Sequence, residues 1–117
     1  DLVDVYLITI TDPAAFYATT EESWGNQTAS ASFDTRLFLF AADGTPLLAN
    51  DDIVGGPNWR SLIADPSNFP TTGDNGVADS ATGISLTPGQ YLLAVTGYEN
   101  DPIDAGATIL FSDTGSI

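Results

Sequence analysis

Apolar and polar residues alternate in short runs along this chain, which is the pattern of β-strands rather than of helices. The first run, at 2–10 (LVDVYLITI), is rich in β-branched and aromatic residues and has apolar side chains at both odd and even positions. Apolar residues on both faces predict a central strand. Further strands are predicted at 33–40, 45–49, 61–64, 77–86, 91–98 and 107–111.

The segments between these runs predict turns and loops. Asp12-Pro13 indicates a helix start, followed by one or two helical turns at 14–19. An exposed loop is predicted at 21–32 and a long one at 51–76, and Thr87-Pro88-Gly89-Gln90 fits a type II turn. Many strands and little helix predict an all-β fold, an antiparallel β-sandwich formed by the whole chain as a single domain.

The segment 34–52 (DTRLFLFAADGTPLLANDD) predicts a β-hairpin, because two apolar runs surround an Asp-Gly turn. If Asp43-Gly44 is a two-residue loop, Arg36 lies opposite Asp51 on the paired strands. The same register brings Asp34, Asp51 and Asp52 close together at the open end of the hairpin.

This end of the hairpin has two interpretations, which the sequence leaves open. Calcium takes six to eight oxygen ligands, at about 2.3 to 2.6 Å, from carboxylates, amides and backbone carbonyls. A calcium site is therefore one interpretation; its candidate ligands are Asp34, Asn50, Asp51 and Asp52, with further oxygens from Asp4, Asp101 and Asp104. In the other, Asp51 pairs with Arg36 and the remaining carboxylates accept hydrogen bonds from nearby amides.

Composition restricts the partners. The chain has 16 acidic residues against Arg36 and Arg60, without Lys or His, and its formal net charge is −14. This charge argues against binding to nucleic acid or to anionic lipid, and it favours cations. No apolar run approaches the length of about 20 residues needed to span a bilayer, so membrane insertion is not expected.

Catalytic motifs are poorly supported. Without His and Cys, a Ser-His-Asp triad, a His-ligated zinc ion and thiol chemistry are excluded. Asp113-Thr114-Gly115-Ser116 is similar to the element of aspartic proteases, but it occurs once and at the end of the sequence, so a turn is the better interpretation. We therefore expect no enzyme. Asn26-Gln27-Thr28 fits a glycosylation acceptor in a surface loop.

Several motifs, taken in order, resemble those of the bacterial pre-peptidase C-terminal (PPC-like) domains. They are Asp4 in the first strand, Asp34-Thr35, the Asp-Gly hairpin, Asn50-Asp51-Asp52 and 86–95 (LTPGQYLLAV). The resemblance implies a noncatalytic, jelly-roll-like β-sandwich that is secreted or lies at the bacterial cell surface. It also implies binding of calcium or of an extended polymer such as collagen or polysaccharide.

The end of the sequence departs from this family, whose members usually finish with one more strand. This sequence stops at Gly115-Ser116-Ile117. The resemblance therefore implies a sandwich whose final strand is missing or is supplied by another chain; a shortened piece is the alternative. An open strand edge is a template for pairing with another chain.

Two functions follow from these observations. The first is a noncatalytic, calcium-stabilised structural or assembly module that self-associates, or joins other surface protein chains, and polymerises into filaments through open strand edges. The second is an accessory binding domain that attaches a secreted enzyme to a polysaccharide or a protein polymer.

Overall fold

Strands dominate the computed structural model, which describes residues 3–23, 26–30, 34–53, 61–65, 73–77, 85–97, 100–103, 105–106 and 111. At 21–23, 26–30, 52–53 and 73–77 the description covers the backbone alone. The strands are β1 (Val3–Ile10), β2 (Tyr17–Thr19), β3 (Glu21–Ser23), β4 (Asn26–Ser30), β5 (Thr35–Ala41), β6 (Pro46–Ile53), β7 (Leu62–Ala64), β8 (Gly73–Val77) and β9 (Gly89–Gly97).

Five of these strands form the main sheet, in the order β1-β9-β5-β6-β8, and every pair in it is antiparallel. β2 pairs with β7 and β3 pairs with β4, again antiparallel. Because β7 also contacts β5 and β6, the β2–β7 pair packs on the main sheet as a second layer. The fold is therefore the antiparallel β-sandwich that the sequence predicts.

Alternation along β5 divides the core between the two faces of the main sheet, because successive side chains of a strand point to opposite faces. One face contributes to a buried cluster that includes Ile63 of the second layer; its members are Ile10, Leu37, Leu39, Leu48, Ile63, Leu86 and Tyr91. The other face carries Phe38, Phe40, Ala49 and Ala94, packed with Phe111. The ring centroid of Phe111 lies 5.2 Å from that of Phe38 and 5.5 Å from that of Phe40.

The hairpin of β5 and β6 has the predicted register but a different loop. Leu37 pairs with Asn50, the register that the sequence predicts. The loop has three residues, because the backbone N–H of Ala41 donates to the carbonyl of Thr45 (2.8 Å) and that of Gly44 to the carbonyl of Ala41 (2.9 Å). Gly44 has a φ of +90°, the left-handed conformation that such a loop requires. Next to this loop the pairing is shifted by one residue from the predicted register, and an irregularity between Leu39 and Phe40 restores that register for the rest of the hairpin.

Four local predictions are wrong. The predicted helix at 14–19 is a single 3-10 turn, Pro13–Ala15, with Asp12 as its N-cap, followed by β2. The predicted loop at 21–32 contains β3 and β4. Residues 85–86, which were predicted to end the strand 77–86, are not in a strand. In place of a type II turn at 87–90, the hydroxyl of Tyr91 donates to the carbonyl of Thr87 (2.6 Å) at a bend.

The position of β1 also differs from the prediction. It is an edge strand of the sheet that the described strands form, with β9 as its neighbour. Apolar residues on both faces were expected to mark a central strand, but Val5 and Leu7 are 59% and 62% exposed. The predicted strand at 107–111 lies outside the described residues except for Phe111.

Candidate functional site

A buried arginine organises the open end of the hairpin. Arg36 lies on the same face of β5 as Phe38 and is only 6% exposed. Its Nη2 donates to Oδ2 of Asp51 on β6 (3.4 Å), and its Nη1 donates to Oδ1 of Asp101 in the segment after β9. The predicted ion pair between Arg36 and Asp51 is therefore confirmed, and Asp101 joins it.

The charges of this cluster affect one another. Burial lowers the pKa of Arg36, but the carboxylates of Asp51 and Asp101 outweigh that effect and hold the pKa above its ordinary value. Burial raises the pKa of the Asp34 carboxyl, and the guanidinium of Arg36 offsets only part of that rise. Arg36 is thus one positive charge that acts on three carboxyl groups, and the surplus charge of the cluster is negative.

The other predicted calcium ligands are placed differently. Oδ1 of Asn50 accepts a hydrogen bond from the backbone N–H of Leu62 (2.5 Å), so it connects β6 to β7. Val3 pairs with Thr96, and Thr96 pairs with Arg36, so these three side chains lie on one face of the sheet. Asp4 is the residue after Val3 and pairs with Val95. Its side chain therefore lies on the opposite face from Arg36.

These positions bear on calcium. Within the part of the chain that the structure describes, no three acidic side chains are grouped so as to hold a metal ion. Asp51 and Asp101 are brought together by a guanidinium, and the described candidates do not form a calcium centre of their own. The side chain of Asp52 and all of Asp104 lie outside the description, so a calcium ion that uses them stays a prediction.

A second polar group holds the two layers together, and sequence reasoning missed it. Ser61 is completely buried, and its Oγ lies 2.6 Å from the backbone carbonyl oxygens of both Thr35 and Asp51. Its backbone N–H donates to Oγ1 of Thr20 (3.0 Å), which lies 2.8 Å from Oγ1 of Thr35. A lone Ser before a short apolar run carries no sequence signal for this role, because its partners are distant along the chain.

A cavity of about 270 Å³ adjoins the Arg36 cluster. Its lining is mostly apolar, with polar side chains contributed by β9 and by the segment after it; the residues are Val3, Val5, Phe38, Phe40, Ala94, Thr96, Asn100, Asp101 and Pro102. Thr96 is only 4% exposed, yet its Oγ1 has no hydrogen-bond partner among the described residues. The cavity therefore combines an apolar wall with an unpaired hydroxyl and a carboxylate.

Val3 and Val5, which belong to the exposed edge strand β1, are part of the cavity lining. On the cavity face of β1, Val3, Val5 and Leu7 are 46%, 59% and 62% exposed, and on the other face Tyr6 is 51% exposed. Asp4 is the only charged residue of this strand. An edge strand usually avoids pairing by means of charge, Pro or short length, and β1 is eight residues long with neither Pro nor a second charge.

Among the described residues, no helix has the length and apolar character of a membrane span. Searches of protein-family models, of curated proteins and of solved structures find no match to the chain.

Proposed function

We propose that this chain is a noncatalytic structural module, of the PPC-like type, that joins another polypeptide chain at the cell surface or in a secreted assembly. The joint is the outer edge of β1, to which the partner adds a strand. The observation that carries this proposal is an eight-residue strand at the edge of the sheet that the described strands form, on which Val3, Val5, Tyr6 and Leu7 are about half exposed. The resemblance of the motifs to PPC-like domains supports the extracellular location.

Strand addition matches the chemistry of β1. Alternate backbone N–H and C=O groups of an antiparallel edge strand point away from its neighbour and are available to a new strand. The new strand would cover the exposed parts of Val3, Val5 and Leu7. Burial of apolar surface contributes roughly 25 cal/mol per Å², so backbone pairing and apolar contact act together.

Hydrogen exchange of the β1 amides tests this proposal directly. The probe is the extended peptide acetyl-Thr-Val-Thr-Lys-Thr-Val-Thr-amide, whose Val and Lys side chains share one face. We expect the peptide to slow exchange of the outward-facing β1 amides. The same protection is expected without peptide, at high protein concentration and high salt, if copies of the chain pair with one another.

Two variants, at side chains that are both about half exposed, supply the control. Leu7→Asp introduces a charge into the edge, and Tyr17→Asp introduces it into β2, where Tyr17 is 47% exposed. Leu7→Asp should abolish the protection, whereas Tyr17→Asp should behave as the wild type does. If neither the peptide nor high protein concentration protects β1, the proposal is wrong. Retention of a polysaccharide by both variants would favour the accessory binding domain.

A further inference from the structure

We infer that the cavity behind β1 receives a lysine side chain from the partner strand. The inference rests on the proposed function, because it assigns the partner's chemistry at the same edge. The aliphatic stem of the lysine would cross Val3 and Val5 and lie over Phe38, and the ammonium group would reach the polar end of the cavity. Lysine commonly buries its stem in this way while its charge meets a polar group.

The first support is the unpaired hydroxyl of Thr96. A buried hydroxyl without a hydrogen bond destabilises a folded protein, so such a group in a cavity lining indicates a missing partner. An ammonium group has three donors and no acceptor. It can therefore donate to Thr96, to the carboxylate of Asp101 and to the amide oxygen of Asn100, all of which line the cavity.

The second support is charge. Asp101 is bonded to Arg36, and Arg36 also neutralises Asp51, so one guanidinium is shared by two carboxylates. Asp34 lies near the same guanidinium. The surplus is negative, and the whole chain carries a net charge of −14. A cationic group is therefore favoured at this end of the cavity over a neutral or an anionic one.

The lysine must come from a polypeptide segment other than these 117 residues. The chain has no Lys, and Arg36 is one of its two Arg residues. A second copy of this sequence therefore has no lysine to place in the cavity. The partner is a chain with an extended segment in which Lys alternates with apolar residues on one face.

A charge-matched peptide pair tests the inference. The first peptide is the one described above, with Lys at the central position of the apolar face. The second, acetyl-Thr-Val-Lys-Nle-Thr-Val-Thr-amide, moves the Lys to the other face and places norleucine at the centre. Both carry one positive charge, so general attraction to an acidic protein is equal. We expect the first peptide to bind more tightly, on the order of ten-fold, as measured by calorimetry or fluorescence anisotropy.

Variants of the protein locate this preference. Thr96→Val should reduce the preference for the first peptide and, since it removes the unpaired hydroxyl, should raise Tm by a few degrees. Asp101→Asn should reduce the preference as well, while its amide oxygen still accepts from Arg36. Asp4→Asn removes the same charge from the opposite face of the sheet and should leave the preference unchanged.

The outcomes separate this inference from the proposed function. Equal binding of both peptides, with β1 protected in each case, would overturn the lysine pocket and leave strand addition standing. Failure of both peptides to bind would overturn the lysine pocket, and it would overturn strand addition as well if high protein concentration also leaves β1 unprotected. A preference that survives Thr96→Val and Asp101→Asn unchanged would also overturn the pocket, because the Lys would then be recognised elsewhere.

Discussion

Asp34 shows how a single buried oxygen affects stability. Its Oδ1 is buried and has no hydrogen-bond partner among the described residues. The attraction of the Arg36 guanidinium offsets only part of the cost of burying the charged carboxylate. Burial disfavours the charged carboxylate, so its pKa is raised in the folded protein. The folded protein therefore binds the proton of the Asp34 carboxyl group more tightly than the unfolded chain does.

The sign of the resulting pH dependence follows from proton linkage. A raised folded pKa means that the contribution of Asp34 to stability is fully present below the ordinary Asp pKa of 3.8 and is lost as the pH rises through the folded value. We therefore expect Asp34→Asn to stabilise the protein at neutral pH, with a gain that shrinks below pH 3.8. Urea unfolding of wild type and variant at both pH values measures this difference.

Asp43 is the matched control for this experiment. Hydrogen bonds from the side chain and backbone N–H of Thr45 lower the pKa of Asp43, so its contribution is present above the ordinary Asp pKa and is lost as the pH falls through the folded value. Asp43→Asn should accordingly destabilise the protein at neutral pH. If the free energy of unfolding changes with the same sign in Asp34→Asn and Asp43→Asn, the opposite pKa shifts of the two carboxyl groups are contradicted.

At the scale of elements, Arg36 connects three separate segments: β5, β6 and the segment after β9. Removal of one partner from a buried ion pair leaves an uncompensated charge. We expect Arg36→Met to lower the free energy of unfolding by about 3 to 5 kcal/mol, because the carboxylate of Asp51 stays buried. Urea denaturation at neutral pH measures the loss.

A double variant distinguishes charge from packing. Arg36→Met combined with Asp51→Leu removes both charges, and replacement of a buried pair by apolar residues is often neutral or stabilising. The double variant should therefore regain most of the stability that the single variant loses. If the double variant is as unstable as the single one, the loss comes from packing, and the ion pair has no special role.

Pairing between neighbours in the sequence was predictable, and pairing between distant segments was not. The Asp-Gly turn and the apolar runs around it were enough to place Arg36 opposite Asp51. The edge position of β1 depends on β9, which lies far along the chain. Apolar residues on both faces are as consistent with an edge strand that binds a partner as with a central strand, so pattern alone could not decide. The cavity and Ser61 escaped prediction for the same reason.

The candidate site was predicted in part. The sequence placed Asp34, Asp51 and Asp52 at one end of the hairpin and left open whether a cation or Arg36 neutralises Asp51. It named Asp101 only as a further ligand of that cation and did not connect Asp101 with Arg36. Spacing can bring carboxylates together without revealing what neutralises them. The role of Thr96 was not predicted at all, because Thr is common in β-strands and a Thr in an apolar run indicates only a strand. The lack of a hydrogen bond to its hydroxyl can be recognised only in the three-dimensional structure.

At the scale of the whole molecule, the formal charge of −14 affects every test of metal binding. Like charges on one chain repel, so any salt should raise Tm by screening, whether or not a specific site exists. Calcium must therefore be compared with magnesium at equal ionic strength, since a protein site that suits one of these ions seldom suits the other. A chelator alone would not separate the two effects.

Asp52 is the best residue for this comparison, because replacement of Asp51 would also break its bond to Arg36. Arg36 is hydrogen-bonded to both Asp51 and Asp101, which makes these two carboxylates less available to a metal ion. We therefore expect calcium and magnesium chloride to raise Tm equally in the wild type and in Asp52→Asn and Asp104→Asn. Differential scanning calorimetry measures the shifts. A larger shift with calcium in the wild type that disappears in Asp52→Asn or Asp104→Asn would instead establish the calcium site, with Arg36 beside it as a structural cation.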